Sequence, residues 1–185
     1  LIKYSGGGKL DYLIHYSSFM VMSIFFGIKI RLVSSWRPDV IWATSPPIFA
    51  GLSGRVLKVV YKAPLVLDIR DVWPDSAVAA RQLKEGGLLY RIARFIERYL
   101  YETASALTCV STEMRKYLIG ATYCKPITVA YNGVPLSLII DGGIRSTEKR
   151  IVYAGNLGRV QDLETLVRAI SDLFNEKHDI QWKLV

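Results

Sequence analysis

Short apolar segments alternate with amphipathic segments along most of the chain. The apolar segments predict strands at residues 40–44, 65–69, 106–110, 127–131, 151–154 and 180–185, each short enough to be buried on both faces of a sheet. Helical periodicity lies between most of them, as at Leu163, Leu166, Val167, Ile170 and Leu173. This repeating order predicts βαβ units, so the expected class is α/β, a parallel sheet with helices on both faces.

Two serines that follow predicted strands are candidates to cap helices. Ser45 precedes Pro46 and Pro47, and Ser111 follows the strand that ends at Val110. A serine hydroxyl accepts a hydrogen bond from a free N–H group of the first helical turn, where proline is also well tolerated. We therefore expect helices to begin just after both serines.

The alternation is interrupted between residues 133 and 150, by Pro135, Gly142 and Gly143 and by a polar run over 145–150. Such a composition is typical of a domain linker. We predict a first domain over residues 1–136, a linker over 137–149 and the opening β-α-β of a second domain over 150–185. Both domains are expected to be incomplete. The first would lack its first strands, because no strand precedes the glycine-rich loop at residues 5–9. The second would lack most of its sheet, because about 50 residues cannot close a doubly wound sheet.

The chain has one long apolar segment near its beginning, centred on residues 19–28. Serines and His15 interrupt it, and Lys29 and Arg31 end it. It therefore falls short of the roughly 20 residues that a membrane-spanning helix needs. A helix in the core or a helix resting on a membrane surface is the prediction.

A second amphipathic helix is predicted over residues 88–101. Its apolar and basic positions lie on different arcs of the helix. The basic arc is either a solvated face, assisted by Glu97 and Glu102, or a surface for anionic lipid headgroups or a diphosphate. The apolar residues are Leu88, Ile92, Phe95, Ile96 and Tyr99, and the basic residues are Arg91, Arg94 and Arg98.

Composition sets wide limits on the class of protein. The chain has 185 residues, of which 51% are hydrophobic and 22% charged, which fits a folded globular protein rather than a disordered one. A formal net charge of +8 favours anionic partners such as phosphates, lipid surfaces or nucleic acid. Cys109 and Cys124 belong to no metal-binding motif, so reduced thiols in the cytosol and no metal are expected.

The predicted strand at residues 65–69 runs into a loop that contains Arg70, Asp71, Trp73, Asp75 and Ser76. In parallel sheets, ligands bind in the crevice at the carboxyl ends of the strands, and this loop would bring two opposite charges there. The alternative is structural, an Arg70–Asp71 ion pair that caps a helix under a core tryptophan. The residues alone leave both interpretations open.

A glycine turn follows the predicted strand at residues 151–154. Gly155 and Gly158 would let backbone N–H groups approach a phosphate, and Arg159 could add a full positive charge beside the helix N-terminus. Asp162 counts against a phosphate, because its carboxylate can take the cap that an anion would use. The turn alone is a weak indication of function.

Five motifs occur in a fixed order along the chain. They are Arg37-Pro38-Asp39-Val40-Ile41, Thr44-Ser45-Pro46-Pro47, Ile69-Arg70-Asp71-Val72-Trp73-Pro74-Asp75-Ser76, Tyr131-Asn132-Gly133-Val134 and Tyr153-Ala154-Gly155-Asn156-Leu157-Gly158-Arg159. The ordered set resembles family 4 glycosyltransferases, and within them the WbuB-like sugar transferases of bacterial O-antigen, capsule and exopolysaccharide synthesis. The set is more specific than any one of its motifs.

The resemblance implies a GT-B architecture of two Rossmann-like domains, with the acceptor bound by the first and the nucleotide sugar mainly by the second. It implies retaining transfer of a hexosyl- or N-acetylhexosaminyl-type sugar from a nucleoside-diphosphate sugar to a lipid-linked or saccharide acceptor, without a metal or other cofactor. It also implies a peripheral protein at the inner, cytoplasmic face of the bacterial membrane. Arg91, Arg94, Arg98 and residues 19–28 would contact the anionic membrane surface.

The resemblance also implies roles for individual residues. Arg70 stands where many relatives carry the histidine of a catalytic His-Asp pair, which Asp71 would complete. Because an arginine stays protonated, it can neutralise a leaving diphosphate but cannot act as a general base. Asn156 and Gln161 take the places of a basic pair in many relatives. The implied acceptor contacts are Ser45, Trp73, Asp75 and Ser76, and the implied donor contacts are Asn132, Gly155, Asn156, Gly158, Arg159 and Gln161.

Two other functions stay open. A nucleotide-sugar 2-epimerase-like enzyme has a similar two-domain plan and needs no acceptor. A non-catalytic module that binds membrane surfaces or polyanions would use the positive charge of the chain. Nucleic-acid binding is not expected, because the basic residues follow no recognition motif. In each enzymatic case we expect no turnover from this chain alone.

Overall fold

The computed structural model of the protein describes residues 8–122, 125–138, 150–155, 161–176 and 181–184. Its contacts divide the chain into two units, one of Leu1–Val78 and Leu83–Asn132 and one of Ala79–Gln82 and Gly133–Val185. The helices are α1 (Lys9–Val33), α2 (Ile48–Tyr61), α3 (Asp75–Ala79), α4 (Leu88–Thr103), α5 (Thr112–Ala121) and α6 (Leu163–Glu176). The strands are β1 (Ile41–Ser45), β2 (Leu65–Ile69), β3 (Ala106–Cys109), β4 (Ile127–Val129), β5 (Arg150–Tyr153) and β6 (Gln181–Leu184).

The first unit is built on a four-stranded parallel sheet in the order β1-β2-β3-β4. Its register brings the carboxyl ends together, because Ser45 lies beside Ile69, Ile69 beside Cys109, and Cys109 beside Val129. Helices α2, α4 and α5 connect successive strands. The predicted α/β class and Rossmann-like parallel sheet are confirmed. The bounds of β2 are those predicted, and the ends of the other three strands differ from the prediction by at most two residues.

The core lies where α2 and α4 cover one face of this sheet. Leu65 and Leu67 are fully buried there, whereas Trp42, whose strand neighbour Ala43 is buried, is 57% exposed. Two glycines let α2 approach closely. A Cβ atom at Gly54 would lie 2.8 Å from the Ala43 Cβ atom, and one at Gly51 would lie 2.8 Å from Leu100 Cδ1. The glycines thus set the distance between this helix and its neighbours.

We expect the substitution Gly54→Val to lower the free energy of unfolding by about 2 kcal/mol, because overpacking must push α2 away from β1. The midpoint of urea unfolding measures the change. Gly120→Val is the control, because a Cβ atom at Gly120 meets nothing within 4 Å. Valine is a better helix former than glycine at both sites, so equal losses for the two variants would contradict the close-packing role of Gly54.

The two predicted serine caps have different outcomes. Ser111 caps α5, because its hydroxyl accepts a hydrogen bond from the Met114 N–H group at 3.1 Å. The prediction for Ser45 is wrong. Strand β1 extends through Ser45, and α2 begins only at Ile48, with Pro47 at its N-cap position and no side-chain cap.

Helix α1 is longer than the sequence suggested. It runs for 25 residues, and its part from Leu10 to Val33 is long and apolar enough, with a mean hydropathy of 1.5, to cross a membrane by length and composition. The predicted interruption by serine is wrong, because the Ser18 hydroxyl donates to the His15 carbonyl at 2.7 Å and so is satisfied within the helix. The prediction of a core helix is also wrong, since no residue of the apolar stretch within Leu10–Val33 is fully buried.

Helix α1 nevertheless has a definite partner. The Tyr61 hydroxyl of α2 donates to the Gly27 carbonyl at 2.7 Å, and the Tyr16 and Phe49 rings stack with centroids 6.4 Å apart. Gly27 lies against the Leu57 side chain, where any larger residue would collide. One side of α1 therefore packs on α2, while apolar residues such as Val21, Phe25 and Leu32 remain exposed.

Helix α4 has its charged and apolar residues on unexpected faces. Arg94 and Glu97 lie on the inner side, with side chains that are 18% and 4% exposed. The apolar positions Leu88, Ile92 and Phe95 are exposed beside Arg91 and Arg98. The prediction that Arg94 shares a solvent- or lipid-facing stripe with the other two arginines is therefore wrong.

The second unit contains a parallel pair of strands, β5 and β6, with Arg150 beside Gln181 and Tyr153 beside Leu184. Helix α6 lies between them in sequence. This arrangement is the β-α-β that the sequence predicted for residues 150–185. Most of the predicted linker, residues 139–149, lies outside the described residues.

Candidate functional site

The carboxyl edge of the four-stranded sheet brings together residues that are far apart in sequence. Arg70 follows β2, and its N–H group donates to the Ser45 carbonyl at the end of β1 at 2.8 Å. Asn132 follows β4, whose path is held to β3 by the hydrogen bond from the Ala130 N–H group to the Cys109 carbonyl at 2.8 Å. The carboxyl ends of all four strands of this sheet thus converge at one edge, as expected for parallel strands.

Arg70 is the central side chain of this edge. Its Nη1 atom donates to Asn132 Oδ1 at 2.6 Å, and its Nε atom donates to Asp68 Oδ2 at 2.9 Å. The side chain is 50% exposed, so a guanidinium fixed at two points still faces solvent. Such a group binds phosphate or carboxylate oxygens in a defined orientation.

Asp68 holds Arg70 from inside the sheet. Its side chain is 3% exposed, and its second oxygen accepts a hydrogen bond from the Thr108 hydroxyl of the neighbouring strand at 2.7 Å. A buried carboxylate with two such donors is well satisfied. Asp68 is not among the predicted site residues, although an aspartate inside the apolar run Val66-Leu67-Asp68-Ile69 is a usable signal.

The structure gives Arg70 a different ionic partner from the one that the structural alternative assumed. The guanidinium pairs with Asp68, and Asp71 is exposed at the same edge. Trp73 is half-buried and packs against the hydrophobic core, as that alternative expected. The Asp71 carbonyl accepts from the Trp73 N–H group at 3.1 Å, which turns the loop towards α3. Arg70 and Asp71 are therefore exposed, whereas Trp73 is packed against the core.

The predicted acceptor residues have distinct surroundings. Ser45 is 8% exposed, and its carbonyl supports the Arg70 backbone. The Ser76 N–H group donates to the Val72 carbonyl at 2.9 Å, and the Ser76 side chain is half-buried. Asp75 begins α3, and its Oδ1 atom accepts hydrogen bonds from Tyr90 at 2.8 Å and from Arg94. Asp75 thus already has two donors.

Arg94 is the centre of a polar network between α3, α4 and α5 that the sequence analysis missed. Besides Asp75, it donates to Glu97 Oε2 at 2.6 Å and to the Tyr117 hydroxyl at 2.7 Å. Glu97 in turn accepts from the Tyr101 hydroxyl at 2.8 Å. This network ties the loop after β2 to the two following helices, and so it supports the edge that carries Arg70.

The network shifts the protonation of its members in opposite directions. Burial would raise the pKa of Asp75, but hydrogen bonds from Arg94 and Tyr90 outweigh it and hold that pKa below its usual value. Burial raises the pKa of Glu97, and the hydrogen bond from Tyr101 and the Arg94 charge only partly oppose this. Burial also raises the pKa of Tyr101. Asp75 is therefore the firmly ionised carboxylate of the network.

The glycine turn is only partly described. A Cβ atom at Gly155 would lie 3.2 Å from the Tyr153 hydroxyl, so a larger residue would crowd that ring. Gln161 is exposed. The Asp162 carboxylate accepts a hydrogen bond from the Thr165 hydroxyl at 2.7 Å, and the Asp162 carbonyl accepts one from the Thr165 N–H group at 3.1 Å. The predicted cap of the helix by the Asp162 carboxylate stays a prediction. The predicted donor residues Asn156, Gly158 and Arg159 lie outside the described residues.

A cysteine lies at this edge of the sheet. Cys109, at the end of β3, is a buried free thiol, and burial raises its pKa, so it is a poor nucleophile. Cys124 lies outside the described residues. In the described part of the chain, no group of three His, Cys, Asp or Glu side chains could hold a metal ion.

The part of the chain that carries the candidate site is similar to a known protein family. The model of the family described as "Glycosyl transferase 4-like domain" matches residues 12–133. This range contains β1 to β4, the Arg70 loop and most of α1. Arg70, Asp68 and Asn132 therefore all lie within the matched region.

Two curated relatives are similar over most of the chain. The probable glycosyltransferase WbjE of Pseudomonas aeruginosa is 25% identical over 168 residues, which cover 82% of this chain and 41% of the relative. The putative colanic acid biosynthesis glycosyl transferase WcaI of Escherichia coli (strain K12) is 25% identical over 182 residues, which cover 90% of this chain and 44% of the relative. The chain thus spans less than half the length of either relative.

Proposed function

The chain belongs to the glycosyl transferase 4-like domain family, and on that premise we propose that it is the acceptor-side domain, with the beginning of the donor-side domain, of a sugar transferase. The whole protein would transfer a hexosyl- or N-acetylhexosaminyl-type sugar from a nucleoside-diphosphate sugar to a lipid-linked or saccharide acceptor. Transfer with retention and membership of the WbuB-like subgroup, in bacterial surface-polysaccharide synthesis, are part of the proposal. The printed names of the two relatives, both glycosyltransferases and one of colanic acid biosynthesis, support it.

The observation that carries the proposal is the fixed, half-exposed guanidinium of Arg70 at the carboxyl edge of the sheet. Asp68 and Asn132 hold it at 2.9 and 2.6 Å, so its orientation is set before a ligand binds. A permanent positive charge of this kind stabilises the negative charge that develops on a leaving diphosphate. In this proposal Arg70 stabilises the leaving group, and Asp71 orients or binds the acceptor.

The other predicted contacts keep their proposed roles. Trp73 would offer the exposed part of its indole to a sugar ring, and Ser45, Asp75 and Ser76 would line the acceptor side. Donor contacts from Asn132, Gly155, Asn156, Gly158, Arg159 and Gln161, with neither metal nor cofactor, follow from the same family resemblance.

The direct test is a transfer assay with the full-length protein, radiolabelled nucleoside-diphosphate sugars and a lipid-linked acceptor. We expect label in the lipid product only when acceptor is present, and NMR of the product reports whether the anomeric configuration is retained. Epimerised nucleotide sugar formed without acceptor would show the epimerase-like alternative instead. Absence of both products over a panel of donors would leave a non-catalytic binding module and contradict the transferase.

We further propose that the protein is cytoplasmic and peripheral to the inner face of the membrane, with α4 and α1 as its contact surface. The exposed face of α4 carries Leu88, Ile92 and Phe95 between Arg91 and Arg98. Apolar side chains flanked by arginines are typical of helices that lie in an anionic membrane interface. Exposed apolar residues of α1 within residues 19–28, such as Phe19, Val21 and Phe25, would add a second apolar surface. Arg94 is not part of this surface, because its side chain lies on the inner side of α4.

We expect Phe95→Glu to reduce the fraction of protein bound to phosphatidylglycerol-containing vesicles by about tenfold, since an inserted aromatic side chain contributes about 1.5–3 kcal/mol. Ile119→Glu on α5 is the control. Both residues are apolar and exposed, Phe95 to 71% and Ile119 to 52%, but Ile119 lies outside the proposed contact surface. Flotation measures binding. Equal binding of the two variants would contradict the role of α4, and resistance of the wild type to alkaline carbonate would show that the protein spans the membrane instead.

A further inference from the structure

Four basic side chains converge on a cavity at the amino-terminal edge of the four-stranded sheet, away from Arg70. The cavity has a volume of about 590 Å³. Arg55, Lys58 and Lys62 of α2 and its C-cap lie on one side, and Lys125, which precedes β4, lies on the other. Glu102 is the one acidic residue in the lining, so the cavity carries a clear excess of positive charge.

Two of the lysines are held in place by the end of α4. Lys58 Nζ donates to the Thr103 carbonyl at 2.6 Å and to the Ser105 hydroxyl at 3.2 Å, and Lys125 Nζ donates to the Glu102 and Ala104 carbonyls at 2.7 and 2.8 Å. Helix C-termini attract cations in this way. Each ammonium has three N–H groups, so each keeps one donor beyond these bonds.

Arg55 has a buried donor that no described residue pairs. Its Nε atom is buried and has no hydrogen-bond partner among them, and its guanidinium lies over the Tyr99 ring, 5.8 Å from the centroid. A buried, unpaired donor is costly. Burial, with the charges of Lys125 and Arg55, also lowers the pKa of Lys58, as expected for cations that lie close together.

We propose that this cavity is a binding site for the phosphate group of an anionic ligand, distinct from the sugar-transfer site and independent of that proposed function. A phosphate would accept hydrogen bonds from the Arg55 guanidinium and from the remaining N–H groups of Lys58 and Lys125, and it would relieve their mutual repulsion. Lys62, exposed at the rim, would add a fourth positive charge. A soluble diphosphate and a phospholipid headgroup share this chemistry.

The site is tested by calorimetry of inorganic pyrophosphate binding to the wild type and to the cavity variant Arg55→Gln/Lys62→Gln. This pair leaves the two lysines that cap α4 unchanged. The control Lys84→Gln/Lys116→Gln removes the same charge from exposed positions outside the cavity. We expect the cavity variant to bind at least about tenfold more weakly, because hydrogen bonds between charged groups are each worth roughly a factor of ten, and the control to bind as the wild type.

Vesicles that contain phosphatidylglycerol distinguish the two sources of the phosphate. If the cavity variant also loses vesicle binding and pyrophosphate displaces the wild type from vesicles, the ligand is a lipid headgroup. If only pyrophosphate binding is lost, the ligand is soluble. A second measurement needs no variant. In the wild type, pyrophosphate should slow the acetylation of Lys58 and Lys125 but not that of Lys116.

The proposal is overturned if the wild type binds neither pyrophosphate nor anionic vesicles. It is also overturned if the cavity variant and the control bind both equally well. In either case Lys58 and Lys125 serve only to cap α4. Circular dichroism checks that each variant is folded.

Discussion

Replacing Arg70 with alanine is expected to lower kcat of the full-length protein by about 10²- to 10³-fold, the usual effect of removing one preorganised donor from a developing negative charge. KM for the acceptor should change much less, because the interaction strengthens as the leaving group departs. Arg70→Lys keeps a charge but not the planar fork that Asp68 and Asn132 orient, so it should recover only part of the rate. Steady-state kinetics with labelled donor measures all of these rates.

Two further variants make the Arg70 result specific. Arg168→Ala removes an arginine that is 75% exposed and pairs with an equally exposed Glu164, so its kcat should equal that of the wild type. Asp68→Asn should slow the reaction about tenfold, and combined with Arg70→Ala it should add little, since Asp68 acts through Arg70. Full activity of Arg70→Ala would contradict the proposed role and return the loop to a structural one.

The convergence of residues at this edge was predictable because it follows from connectivity. Parallel strands joined by helices must end at one edge, so residues that follow β2 and β4, such as Arg70 and Asn132, become neighbours. The apolar run of β2 was predicted to the residue, since its alternate side chains are buried against α2. The roles proposed for these residues in transfer stay predictions.

Contacts between distant residues determine which side chains of a helix or strand are buried, and the sequence pattern does not show these contacts. Periodicity in α4 separates arcs of a helix but does not say which arc faces solvent. Arg94 is inside because Asp75, 19 positions earlier, and Tyr117, 23 positions later, offer it acceptors. Asp68 was passed over because a single polar residue in a strand reveals its partner, Thr108, only when the strands are paired.

Replacing Arg94 with alanine should lower the free energy of unfolding at neutral pH by about 3–5 kcal/mol, since removing one partner leaves a buried carboxylate uncompensated. Glu97 is that carboxylate, with a side chain that is 4% exposed. Arg98→Ala, an exposed arginine on the same helix, is the matched control and should change stability by less than about 0.5 kcal/mol. Urea unfolding followed by circular dichroism measures both, and equal losses would contradict the buried network.

The loss caused by Arg94→Ala should also depend on pH. In the variant the pKa of Glu97, already raised by burial, rises further. A carboxyl whose pKa is raised in the folded protein contributes fully to the free energy of unfolding below its unfolded pKa of about 4.3. That contribution is lost as pH increases through the folded pKa. Asp75 acts in the same sense. Its lowered pKa gives the wild type a stabilisation that exists above the unfolded value and is lost as pH falls through the folded value. The Glu97 effect makes the difference between wild type and variant shrink between pH 7 and pH 4, and the Asp75 effect makes it shrink further only below about pH 4, the unfolded value of an aspartate. A difference that stays constant from pH 7 to pH 4 would mean that Glu97 does not depend on Arg94.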